Sequence, residues 1–126
     1  MQNVKGLVVD APSTNIELTF YNIAREIFKE NSDIIAEIAL QRFNKQFKHN
    51  ASDFDSIKIV TQSKYPILLS AGSNEHREEL FEQIKQANPM ETSIVILPGC
   101  NHGNGMYKQT EMYQGAIKNF LAKNFN

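Results

Sequence analysis

Two turns of this chain carry side chains suited to acid–base chemistry. Glu75 lies in a Gly-led turn directly after the apolar run 66–71, and His102 lies in a Gly-rich turn directly after the apolar run 93–97. An imidazole acts as a general base when a carboxylate holds one of its ring nitrogens and leaves the other free. The types and order of these residues therefore predict an acid–histidine pair able to activate a hydroxyl nucleophile.

Each of these assignments has an alternative. A glutamate in the first turn of a helix complements the helix dipole, which accounts for Glu75 without any chemistry. Asp10 is a rival acid, because it also ends an apolar run, although it equally serves to turn the chain into Pro12. The alternative for His102 is an ordinary surface loop. The choice between Glu75 and Asp10 stays open at this point.

Other residues give weaker signals. Cys100 and His102 are candidates for a nucleophilic Cys–His pair. They are two positions apart, a spacing at which the imidazole does not easily reach the sulfur, so this pair is disfavoured. His49 and His76 show no paired spacing, so no metal site is predicted. The run 103–105 lacks the third glycine and the strand-to-helix context of a dinucleotide-binding fingerprint, so no cofactor is predicted.

The elements that position these residues alternate between strands and helices. Short, mainly apolar runs predict strands near 5–10, 66–71 and 93–97, of the kind that is buried on both faces of a parallel sheet. Helical patterns between them predict right-handed crossovers, and ligands bind at the carboxyl ends of such strands. The predicted fold is a three-layer α/β domain over 1–126, with three main parallel strands flanked by helices.

Apolar stripes at helical spacing define the remaining elements. A helical pair is predicted over 14–48, opened by a capping box of Thr14 and Glu17. A polar loop follows at 48–56, and 57–60 is a short strand or an approach segment. Two further helices are predicted at about 76–87 and about 108–123.

The composition and net charge of the chain argue against several classes of function. The chain has 126 residues, 41% apolar and 21% charged, with a net charge of −1, which fits a single soluble domain with one core. A near-neutral charge gives no basis for binding nucleic acid or an anionic membrane. A single cysteine excludes an intrachain disulfide, and no apolar run suits a signal peptide or a membrane span. The expected location is cytoplasmic.

Taken together, the two turns and their flanking elements resemble the last third of an α/β-hydrolase, most closely the serine esterase and acylaminoacyl-peptidase-like members. Residues 4–12 look like the sixth strand of that family, 66–72 like the seventh, and 93–103 like the eighth with its histidine loop. The helical pair occupies the place where many members insert a lid or cap. The resemblance implies that His102 is the catalytic base and that Glu75 is the acid, where the family usually has Asp.

The nucleophile that this resemblance implies is missing from the sequence. The family carries it in G-x-S-x-G upstream of the acid, and no such motif occurs here, since Ser13 and Ser73 are turn or capping residues by their neighbours. The expected function is the C-terminal part of a serine hydrolase of small-molecule esters or amides, inactive alone. The expected partner is a missing N-terminal half or a second copy, because the strand at 5–10 presents an unpaired edge. The alternative is a non-catalytic α/β module that acts by protein association.

Overall fold

A computed structural model describes residues 4–13 and 15–125 and divides them into two compact units. One unit contains the segments 4–12 and 60–125 and holds the sheet. The other lies within 13–59 and is largely helical. The expectation that 1–126 form one domain stays a prediction.

The sheet contains three parallel strands in the order β1-β2-β3. These are β1 (Leu7–Asp10), β2 (Ile67–Gly72) and β3 (Thr92–Leu97). Every residue of β2 is buried, as expected for the central strand of a sheet that is covered on both faces. The predicted α/β class, with a three-stranded parallel sheet flanked by helices, is confirmed, and each strand boundary lies within two residues of its predicted place.

Helices of the sheet unit cover this core. Helix α4 (Glu78–Ala87) buries Leu80, Phe81 and Ile84, and the C-terminal helix places Phe120 in the buried cluster that includes Leu68 and Val95. The helix predicted at about 108–123 is confirmed as α6 (Thr110–Phe125), within two residues at each end. A short helix, α5 (Gly105–Lys108), precedes it, and the two are separated at Gln109, whose backbone angles of φ −125° and ψ 47° are not helical.

The helical unit contains the predicted pair, α1 (Ile16–Phe28) and α2 (Ser32–Phe47), joined by a short turn at Lys29–Asn31. An edge-on contact between Phe20 and Phe43, with ring centroids 5.7 Å apart, packs the two helices together. The N-cap of α1 is Asn15, whose side-chain oxygen accepts a hydrogen bond from the backbone N–H of Leu18. The predicted cap at Thr14 lies outside the described residues.

The segment after α2 is more regular than its polar sequence indicates. A single turn of 3-10 helix forms at Ala51–Asp53, and the short strand considered for 57–60 is instead helix α3 (Ser56–Val60). Asp55 explains the helix, because its carboxylate accepts hydrogen bonds from the backbone N–H groups of Ile57 and Lys58. Such a bond satisfies amides that have no partner at a helix start.

Candidate active site

The parallel register brings the turns that carry Glu75 and His102 together at the carboxyl ends of the strands. Glu75 ends a 3-10 turn at Ser73–Glu75 that directly follows β2, and His102 lies in the loop that directly follows β3. Gly72, the last residue of β2, is paired in register with Leu97, the last residue of β3. Because the strands are adjacent and end level with each other, the two turns meet.

Glu75 and His102 form the predicted pair. The Nδ1 atom of His102 lies 2.8 Å from Oε1 of Glu75. A carboxylate only accepts hydrogen bonds, so Nδ1 carries the proton and a neutral imidazole keeps its lone pair on Nε2. The side chain of Glu75 is 7% exposed and that of His102 is 73% exposed. A buried acid thus orients a largely exposed histidine and leaves its second ring nitrogen outside the contact, which is the arrangement a general base requires.

The second oxygen of Glu75 is also held. The backbone N–H of Gly72 donates a hydrogen bond to Oε2 at 2.9 Å. Glycine is required there for a steric reason, since a Cβ atom would lie 2.2 Å from the carbonyl oxygen of Cys100. The acid turn and the histidine loop therefore pack backbone against backbone, and each carboxylate oxygen has a hydrogen-bond partner.

The histidine loop bends sharply around a buried cysteine. Gly99 and Gly103 adopt φ values of +66° and +70°, a region that favours glycine. Cys100 between them is fully buried, and its thiol lies 3.6 Å from the carbonyl oxygen of Pro98. These contacts give Cys100 a packing role and direct His102 away from the core.

Asp10, the rival acid, has a different partner. It ends β1, where its Oδ1 accepts a hydrogen bond from the hydroxyl of Ser70 at 2.5 Å. Ser70 is buried on β2. Of the two acids weighed from the sequence, the one that contacts His102 is Glu75.

The other two histidines have local contacts of their own. His49 packs edge-on against the ring of Phe54, with 6.1 Å between ring centroids. His76 follows Glu75 with a left-handed backbone and φ of 53°, at the end of the 3-10 turn. Across residues 4–13 and 15–125, no cluster of three or more histidine, cysteine or acidic side chains could hold a metal ion.

Three polar residues link the two turns, and the sequence indicated Ser73 only as a turn or capping residue and assigned no role to Asn74 or Asn101. The hydroxyl oxygen of Ser73 accepts a hydrogen bond from the backbone N–H of Gly99 at 2.9 Å. The side-chain amide of Asn74 donates to that of Asn101 at 2.8 Å. Their only signal in the sequence is position, because Asn74 directly precedes the acid and Asn101 directly precedes the histidine.

Comparison with known proteins adds no relative: no family model, curated protein or solved structure matches the chain. The resemblance to α/β-hydrolases therefore rests on the residues and geometry of the two turns. In the described part of the chain, no helix combines the length and apolar character needed to cross a membrane.

Proposed function

We propose that this chain supplies the acid and the base of a hydrolytic site for ester or amide bonds, with His102 as general base and Glu75 as the acid that orients it. The observation that carries the proposal is the 2.8 Å contact between Nδ1 of the exposed His102 and Oε1 of the buried Glu75. The order of the two residues, each in a turn after a parallel strand, also matches the acid and histidine of the hydrolases that the sequence resembles.

The chemistry follows from the free ring nitrogen. As a hydroxyl nucleophile attacks the acyl carbonyl, Nε2 of His102 takes its proton, and the imidazolium then returns that proton to the leaving alcohol or amine. Glu75 keeps its negative charge throughout and stabilises the transient imidazolium through the Nδ1 contact. Water then repeats the cycle on the acyl-enzyme and regenerates the nucleophile.

We place the nucleophile on a segment outside these 126 residues, because the chain contains no G-x-S-x-G. Edge strand β1 offers a place for that segment. The amide of Leu7 donates to Pro66, just before β2, and that of Ala11 donates to Ser70 on β2. By alternation, the amides of Val8 and Asp10 point away from β2. A strand that paired in parallel with β1 would have its carboxyl end on the same side of the sheet as Glu75 and His102. The turn that follows this strand could present a serine there.

A second candidate function is that of a non-catalytic module that acts by protein association. The observation in its favour is the number of large apolar side chains exposed along the helical pair, namely Ile23, Ile27, Phe28, Ile34 and Ile38. Exposed apolar surface of this kind marks interaction sites when it is contiguous. A module of this type does not need the basic nitrogen of His102. Substitution of His102 therefore distinguishes the two functions.

The test begins with the coding DNA upstream of Met1, read in every forward frame for G-x-S-x-G, followed by expression of the longer polypeptide. We expect the 126-residue chain alone to leave p-nitrophenyl esters unhydrolysed and to take no fluorophosphonate label. We expect the longer polypeptide to hydrolyse them, and His102→Ala to lower its kcat by about 10³-fold or more.

A matched control is His49→Ala, which removes a histidine remote in sequence from the two turns and should leave kcat unchanged. Stoichiometric fluorophosphonate labelling of a serine in the 126-residue chain would contradict the assignment of the nucleophile. Equal kcat values for the longer polypeptide with and without His102 would contradict the whole proposal. Absence of the motif upstream would favour the association module.

A further inference from the structure

Beside the contact between acid and base and the bond from Gly99 to Ser73, a further bridge joins the two turns. Asn74 precedes Glu75 and Asn101 precedes His102, and their side-chain amides are hydrogen-bonded at 2.8 Å. The backbone N–H of Asn74 also donates to the carbonyl oxygen of Cys100 at 3.1 Å. The residue before the acid is thus bonded through its side chain to the residue before the base, and through its backbone to Cys100, one position earlier in the histidine loop.

The contact between Glu75 and His102 needs such support. A contact between a carboxylate and a largely exposed imidazole is weak, because water and salt compete for it and a mobile side chain must be ordered to form it. His102 is 73% exposed, and its loop bends through two glycines. A general base nevertheless has to be held within a narrow range of distance and angle. The bonds from the acid turn to the histidine loop can supply that constraint.

We propose that Asn74 is a positioning residue, which acts through Asn101 to hold the backbone that carries His102. In this position Nδ1 stays opposite Glu75, and Nε2 stays free. The catalytic meaning of this role rests on the proposed hydrolytic function, whereas the geometric role can be measured without any substrate. Asn74 contributes no proton and contacts no reacting atom.

The test is Asn74→Ala in the full chain, with the tautomers of His102 measured by long-range ¹H–¹⁵N NMR at about pH 8.5, well above the reference pKa of a free imidazole. We expect the wild type to hold mainly the form protonated at Nδ1. We expect Asn74→Ala to lower the ratio of the Nδ1–H to the Nε2–H tautomer by about threefold or more, because the contact with Glu75 is then made part of the time.

Asn101→Ala should give the same loss, and the double variant should lose no more than either single variant, because both changes break one bridge. Asn22→Ala, on the exposed face of α1, is the matched control and should leave the ratio unchanged. Glu75→Gln is the positive control. Backbone amide shifts of α4 and β3 report whether the turns still form, and if Asn74→Ala disturbs them, Asn101→Ala decides the question.

An unchanged tautomer ratio in Asn74→Ala and Asn101→Ala, with a changed ratio in Glu75→Gln, would overturn the positioning role. Additive losses in the double variant would also overturn it, since the two residues would then act separately. Neither measurement depends on ester hydrolysis. The positioning role can therefore stand if the hydrolase proposal fails, and it can fail while that proposal stands.

Discussion

Two carboxylates near the carboxyl ends of the strands, Glu75 and Asp10, are held in different ways. Glu75 has one oxygen on the backbone N–H of Gly72 and the other on His102, while Asp10 is bonded to the hydroxyl of Ser70. An acid can orient a histidine only if the acid itself cannot rotate. The amide of Gly72 meets this need, and it stands so close to the histidine loop that only glycine fits.

We predict that Gly72→Ala lowers the free energy of unfolding by about 1–3 kcal/mol. The new methyl group overlaps the carbonyl of Cys100, so the backbone has to move. Urea unfolding followed by circular dichroism measures the change. The control is Gly115→Ala, where a Cβ meets no atom within 4 Å and a helix gains about 0.5–1 kcal/mol from the change. Equal effects at the two glycines would contradict the steric argument.

At the scale of elements, the sequence indicated most clearly those segments whose own residues determine their structure. The run 66–71 was recognised because a strand buried on both faces needs apolar residues throughout. The helix at Ser56–Val60 was missed because its apolar residues alternate like those of a strand, and its start depends on the side chain of Asp55. The bridge between Asn74 and Asn101 joins residues distant in sequence, and asparagine gives no chemical signal of such a contact.

We predict that Asp55→Ala destabilises the helical unit by about 0.5–2 kcal/mol, because the backbone N–H groups of Ile57 and Lys58 at the start of α3 lose the carboxylate acceptor. Asp55→Asn keeps an acceptor oxygen and should retain most of the stability. Asp53→Ala, at an exposed neighbouring position, should stay within about 0.5 kcal/mol of the wild type. Urea unfolding gives all three values, and an equal loss in Asp55→Asn and Asp55→Ala would argue against capping.

For the whole molecule, the two edges of the described sheet differ in chemistry. β3 is preceded by Glu91, which forms an ion pair with Lys123, and its own first residues are Thr92 and Ser93. Charged and polar groups of this kind keep an edge strand from pairing with other chains. β1 instead leaves Leu7 and Val8 40% and 43% exposed. The edge with the more exposed apolar residues is thus the one that our proposal assigns to the strand bearing the nucleophile.

We therefore predict that, without such a strand, the chain forms a homodimer through β1. Two copies related by a two-fold axis can pair their β1 edges, which satisfies the outward amides and removes Leu7 and Val8 from water. Fully burying one such side chain contributes about 1.5–3 kcal/mol, and the pairing gains some of this in each copy. Sedimentation at micromolar concentration should show a dimer for the wild type and a monomer for Val8→Lys. Ser93→Lys, on the other edge, should remain dimeric. A folded wild-type monomer would show that β1 is stable without a neighbour and would remove the edge as the place where the missing nucleophile joins.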